Sequence, residues 1–446
     1  MPNASETESA LQRMVTAYVI TGLLFMLLPG TFLGVWNLVS ISGRHSLAAL
    51  SPAWLQAHGH AQILGWLGTF IIGIGYYSLS KMGRVMPFAV RRGWISWALW
   101  TAGAALRWTA NVTEFHWRIL LPVSAAMELI AFLVFFATVS RHKAAPAPAA
   151  RPPMEPWMKL VVASTLGFLS VLLINQVEAV ILAMGAMHPE IPHRLDQRYL
   201  FLVAWGFPVW AVWGFNARWL PVFLGTRAPS GRTLLSALAL SVTGLFAVAF
   251  GQLQAATVLL LAAGVLAILA LNIFRRAEKP AKTLGVTSWF PAFVRGSYVW
   301  LLIAAGLGVY AAQADTTGGV WGASRHALTV GFLAAMVFGI GQRVLPAFCG
   351  GRVLYSTRLM WASLAALNLG CLLRAGSEIP AYEANVRLAW RVLPLSAVAE
   401  LTAVTLFALN LGITLLLPVF NRGEHPSQCD RRSDTALHMP QIAVRR

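Results

Sequence analysis

The sequence predicts an all-α polytopic membrane protein of twelve transmembrane helices, arranged as three quasi-repeated arcs of four. Three observations carry that expectation. Of the 446 residues 57% are hydrophobic and only 11% charged, with a mean hydropathy of +0.65, outside the range of soluble globular chains. Apolar runs recur from end to end, each able to cross a bilayer core of ~30 Å with about 20 helical residues. The formal charge of +18 is gathered into every second loop.

The runs fall at about 14–38, 57–79, 90–110, 118–140, 157–184, 198–224, 233–250, 255–274, 295–313, 326–348, 357–376 and 391–420. Lipid offers no water to satisfy backbone groups, so each must be helical. Glu6 and Glu8 precede the first run, and the absence of a short cleavable apolar stretch before it predicts no removed signal peptide. Lys81, Arg84, Arg91 and Arg92 follow the second run; Arg141, Lys143, Arg151 and Lys159 follow the fourth, around a stiff Ala-Pro linker over 144–156. Arg227 and Arg232 follow the sixth, Arg275, Arg276, Lys279 and Lys282 the eighth, and Arg343, Arg352 and Arg358 the tenth. The positive-inside rule makes these loops cytoplasmic, and with them both termini; the expected location is a bacterial inner membrane. The basic balance therefore reports topology in a lipid bilayer, and no nucleic-acid partner is expected. One integral membrane domain is predicted over 1–446, with a basic cytoplasmic tail over 421–446. Cys349, Cys371 and Cys429 make no disulfide framework.

The repeat is read from the fourth and twelfth runs. Trp117-Arg118-Ile119-Leu120-Leu121-Pro122 leads to Glu128, and Trp390-Arg391-Val392-Leu393-Pro394 leads to Glu400, with one residue deleted. The helices before them end at Leu106-Arg107 and Leu373-Arg374. Helices two to four thus correspond to ten to twelve. That offset implies a middle copy, found where Gly206 and Gly214 precede Arg218-Trp219-Leu220-Pro221, as Gly331 and Gly339 precede Arg343-Val344-Leu345-Pro346.

Histidines open two of these equivalent helices. Counted from His60 or from His326, glycine falls five, thirteen and fifteen residues on, at Gly65, Gly73, Gly75 and at Gly331, Gly339, Gly341. The middle copy has Phe201 instead. Two imidazoles at matching depth are costly in lipid unless they bind something, and neutral imidazole is a common axial ligand of haem iron. His60 and His326 are the expected haem ligands. His58, about 200° around the helix from His60, cannot face the same centre and is a candidate for a second haem or a metal. Arg107, Arg118, Arg325, Arg374 and Arg391 lie at the same level, as partners for haem propionates. Gly65 and Gly331 remove bulk, letting a flat macrocycle or a neighbouring helix approach. Glu128, Glu400 and Glu178 are intramembrane carboxylates, read either as orienters of a ligating histidine or a proton relay, or as helix-locking partners of arginine. His188 and His193 flank Pro189–Pro192 and are expected in a loop. His45, His142, His425 and His438 read as solvent-facing.

Twelve helices in three arcs with histidines on the second and tenth resemble subunit I of the haem-copper oxidases, where those helices supply both ligands of the low-spin haem. Helices six and seven, which carry the active-site copper histidines in that family, hold none here, which argues against oxygen or nitric-oxide reduction at a standard binuclear centre. The chain is more similar to the NnrS family of haem- and copper-containing membrane proteins, through His58-Gly59-His60 early and His326-Ala327-Leu328-Thr329-Val330-Gly331 followed by Arg343 late. The glutamate usual after the early histidines is absent; Gln62 stands nearby. The resemblance implies haem, expected to be b-type, copper as a second cofactor, nitric oxide or quinol as partners, and a role in nitrosative stress or denitrification. The competing classes are a cofactor-free transporter and an assembly or scaffold subunit of a respiratory complex.

Overall fold

The structure, a computed structural model, describes residues 4–46, 50–82, 90–140 and 153–417, and every regular element among them is helical. The helical segments join into continuous rods, labelled here α1 (4–44), α2 (52–82), α3 (Val90–Thr113), α4 (Trp117–Ser140), α5 (Pro156–Gly185), α6 (His193–Leu224), α7 (Gly231–Ala249), α8 (Leu253–Ala270), α9 (Phe290–Ala314), α10 (Gly319–Phe348), α11 (Thr357–Ala384) and α12 (Arg387–Leu416). Each expected run falls on one rod. Ten rods are long and apolar enough to cross a membrane; α2 and α3 are not among the ten. The linker over 144–152, the tail over 421–446, His142, His425, His438 and Cys429 lie outside the described residues.

The rods outrun the apolar stretches at most ends. A hydropathy reading sees only the segment that lipid demands, whereas backbone hydrogen bonding continues until a residue leaves the helical region. α1 stops at His45 with φ 51°, α6 at Gly225 with φ 68° and α11 at Asn385 with φ 50°, left-handed caps in each case. One consequence concerns the histidines. Pro52 starts α2 and Gly319 starts α10, so His58 and His60 sit about two turns inside their rod and His326 closes the second turn of its own. The expectation that they open the helices is thereby corrected. His193, expected in a loop, is the first residue of α6.

Packing follows chain order, α3 on α4, α7 on α8, and α10 against both α9 and α11. The repeat is visible in how glutamates enter their neighbours. A Cβ on Gly103 of α3 would meet Glu128 Cγ at 2.9 Å, and one on Gly370 of α11 would meet Glu400 Cγ at 2.6 Å, the backbones of Glu128 and Glu400 and of Ser124 and Ser396 lying alongside. Each glycine precedes its arginine, Arg107 or Arg374, by one helical turn. The rods α2, α6 and α10, equivalent in the repeat, each contain π-helical turns, at Ala61–Gly68, Trp205–Val209, and Ala327–Ala334 with Val337–Gly341. An apolar cavity of about 90 Å³ lies between these three rods, lined by residues such as Leu67, Phe70, Ala211, Met336 and Val337.

Candidate functional site

The π turn of α2 begins directly after His60 and that of α10 directly after His326. A π turn inserts one residue into the helix and re-aims the side chains before it, and such turns concentrate at functional sites. The side chains just above both turns are the histidines.

His60 points toward α4. Its Nε2 lies 2.7 Å from Glu128 Oε1, in a carboxylate with no exposure. Asn175 Nδ2 of α5 donates to Glu128 Oε2 at 3.4 Å, and Arg107 NH1 of α3 donates to Asn175 Oδ1 at 3.0 Å. The polar chain His60–Glu128–Asn175–Arg107 thus ties four rods together. Glu178, one turn from Asn175, lies within electrostatic reach of Arg107 and Asp196.

His58, two residues back, points the other way, into α1. There Pro29 lies inside the π turn Met26–Phe32, and the backbone N–H of Leu33 donates to the carbonyl of Gly30. The carbonyl of Gly30 accepts from His58 Nδ1 at 2.9 Å. The ring fits because position 34 is glycine: a Cβ there would meet His58 Cε1 at 2.6 Å. From this notch His58 comes within electrostatic reach of His326 and Arg374.

His326 is anchored in the same manner. Its Nδ1 lies 2.9 Å from the carbonyl of Gly322 and 3.5 Å from Glu378 Oε2 on α11. Arg374 NH2 holds Glu378 Oε1 at 3.1 Å. Arg325 turns away and donates to Gln197 Oε1 of α6 at 2.7 Å, with Asp196 and Glu378 in electrostatic reach. Glu400, half-buried on α12, lies within electrostatic reach of His326 and Arg374.

His60 and His326, the expected haem pair, are each engaged by a different carboxylate, Glu128 and Glu378, in separate polar networks. His58 lies within electrostatic reach of His326. The 200° between positions 58 and 60 allows only one to face the centre. The glycine notch of α1 and the carboxylate of α4 decide which. Gly65 and Gly331, expected to clear space beside a cofactor, admit neighbouring helices: Phe25 of α1 lies 3.2 Å from a Cβ at Gly65, and Trp300 of α9 2.5 Å from one at Gly331. Arg118 caps the end of α5, donating to the carbonyls of Ala183 and Ala186. His188 faces Glu114 at 3.6 Å on the exposed surface. Gly30, Gly34, Asn175 and Glu378 were not foreseen as site residues. Glu378 was readable as an acid one turn after Arg374 inside an apolar run, and Gly30 with Gly34 as a small-residue face of α1.

The donor set fits a haem on chemical grounds. A carbonyl can only accept, so His58 and His326 carry their proton on Nδ1 and present Nε2 as a lone pair, the arrangement in which a ligating histidine is held from behind. His60 has its Nε2 committed to Glu128. Arg374 is buried, and its Nε and NH1 have no hydrogen-bond partner among the described residues, leaving two donors for a propionate carboxylate. Among the described residues no three His, Cys, Asp or Glu side chains cluster as a metal site.

A haem-copper terminal oxidase solved by cryo-electron microscopy as a dimer superposes on 94% of this chain and 85% of its own, with a TM-score of 0.64 and 12% identity. The likeness establishes the fold, a haem-copper oxidase-like helical membrane architecture. No curated protein matches the sequence. Residues 177–412 match the model of a family described only as a domain of unknown function, DUF8744. That stretch holds Arg325, His326, Arg374, Glu378 and Glu400, and stops short of the α2 histidines. The chain belongs to the DUF8744 family.

Proposed function

We propose that the protein binds haem within the membrane, with His58 of α2 and His326 of α10 as axial ligands and Arg374 as a propionate partner. The observation that carries this reading is that both imidazoles hand Nδ1 to a backbone carbonyl at 2.9 Å, leaving Nε2 uncommitted. When bound, such a haem supplies one-electron transfer. The chain's own part is to fix both tautomers through Gly30 and Gly322, to set the depth of His326 through Glu378, and to exclude water with the buried aromatic packing of α2, α9 and α10. No Cys-x-x-Cys-His motif for covalent attachment occurs in the sequence, and the reading takes the haem as non-covalently held, b-type.

The finer role rests on the likeness to the NnrS family carried by His58-Gly59-His60 and by His326–Gly331 with Arg343. On that likeness the role is in the response to nitric oxide or in denitrification; the cationic loops add the reading of a bacterial inner membrane with both termini cytoplasmic. Were His58 and His326 both to hold a haem, electron transfer from a quinol would be favoured over direct capture of nitric oxide. Copper, the other metal of that family, needs a donor cluster that the described residues do not assemble.

The test is a pyridine haemochrome spectrum on the purified chain and its variants. Haem is expected in the wild type, lost in His58→Ala and in His326→Ala, and retained in His60→Ala. Retention in His58→Ala with loss in His60→Ala would reverse the pairing. A wild type produced with ample haem yet spectroscopically silent would defeat the haem reading altogether.

A further inference from the structure

We propose that the groove at the α8–α9 connection binds the phosphodiester headgroup of an anionic membrane lipid. Arg275, Arg276 and Lys279 line this groove from the connection, and Arg295 lines it from the second turn of α9. The one acid in the lining, Glu278, is taken up by Arg227 at 3.1 Å, so the groove faces outward as a cluster of cations.

The connection is built to hold that shape. The backbone N–H groups of Glu278 and Lys279 donate to the carbonyl of Gly225 at 2.8 and 3.1 Å, and that of Lys282 donates to Phe223 at 2.9 Å. Gly225 has φ 68°, and a Cβ there would run into the carbonyl of Lys279. Only glycine lets the two loops close this tightly. Arg295 Nε donates to the carbonyl of Ile273 at 3.2 Å, pinning the base of the groove to α9. The cations are thus pre-positioned rather than strung along a loose loop, which lowers the ordering cost of binding.

The setting selects a lipid over a soluble anion. The groove lies where two membrane-spanning rods end, and Phe274, 51% exposed, is part of its lining. A large ring at that level suits the boundary between headgroup and acyl chain. Basic pockets at the ends of membrane helices recognise anionic headgroups, each Lys or Arg near the surface contributing ~1 kcal/mol.

The experiment uses the full chain, delipidated in neutral detergent and titrated with phosphatidylglycerol or phosphatidylcholine in mixed micelles. Bound lipid is counted by native mass spectrometry. Saturable retention of phosphatidylglycerol is expected, with little of phosphatidylcholine. The triple variant Arg275→Ala, Arg276→Ala, Lys279→Ala is expected to lose roughly a hundredfold in affinity, while Arg91→Ala with Arg92→Ala at the start of α3 changes nothing. Should the triple variant not fold, the wild type still decides the matter. Its phosphatidylglycerol binding must weaken steeply from low to high salt and must resist millimolar inorganic phosphate. Equal retention of both lipids, indifference to the triple substitution, salt-independent binding, or full competition by free phosphate would each overturn the proposal.

Discussion

At the scale of single residues, the two histidines of α2 are separated by their receptors rather than by their own chemistry. His58 meets a glycine notch and a backbone carbonyl; His60 meets a buried carboxylate. The notch itself is testable. In Gly34→Ala the new methyl would sit 2.6 Å from the His58 ring, forcing it off the Gly30 carbonyl. Lower haem retention with unchanged expression is the expected outcome, read from the ratio of Soret to protein absorbance. Gly370→Ala places a methyl against Glu400 Cγ at 2.6 Å, an overpacking that costs about 1–3 kcal/mol. A lower thermal midpoint in detergent is expected, with the matching fall in Gly103→Ala because the repeat builds both notches alike.

At the scale of elements, the membrane segments were legible and their partners were not. Lipid tolerates only helices with some 20 apolar residues, so twelve runs could be read directly. No such rule sets where a rod ends in the interface, which is why α1, α2 and α10 proved longer and their histidines deeper. The π turns after His60 and His326 had no local signature beyond the glycines. Side chains that clasp separate rods were equally silent. Asn410 of α12 is the clearest case: Nδ2 donates to Gln342 Oε1 of α10 at 2.6 Å and to the carbonyl of Ser356 at 2.9 Å, while Oδ1 accepts from Ser356 N at 2.9 Å. Asn410→Leu leaves those buried groups unpaired at about 1–3 kcal/mol each. Faster proteolysis of the α10–α11 loop is the expected readout.

At the scale of the molecule, three equivalent rods, α2, α6 and α10, line one apolar cavity, and two of them carry a histidine at the equivalent position, His60 and His326. The third has Phe201, whose ring centroid lies 5.5 Å from that of Trp321 on α10, so aromatic packing occupies the level where the other copies carry imidazole. The orientation of the whole is predicted by the cationic loops. In a Cys429→Ser background, where Cys349 and Cys371 are buried, an impermeant thiol reagent should label Met187→Cys in intact cells and Ala228→Cys only after the cytoplasmic face is opened. The reverse pattern would invert the topology.

Composition, the length of the apolar runs and the alternation of charge sufficed to determine the helical membrane class, because the bilayer imposes those features on any chain that crosses it. The two outer copies of the repeat were readable for the same reason that their glycine notches match: equivalent packing requires equivalent residues. Which imidazole faces which partner was decided only in three dimensions. A rotation of 200° between neighbouring positions means nothing until the rods on either side supply a carboxylate to one and a backbone carbonyl to the other.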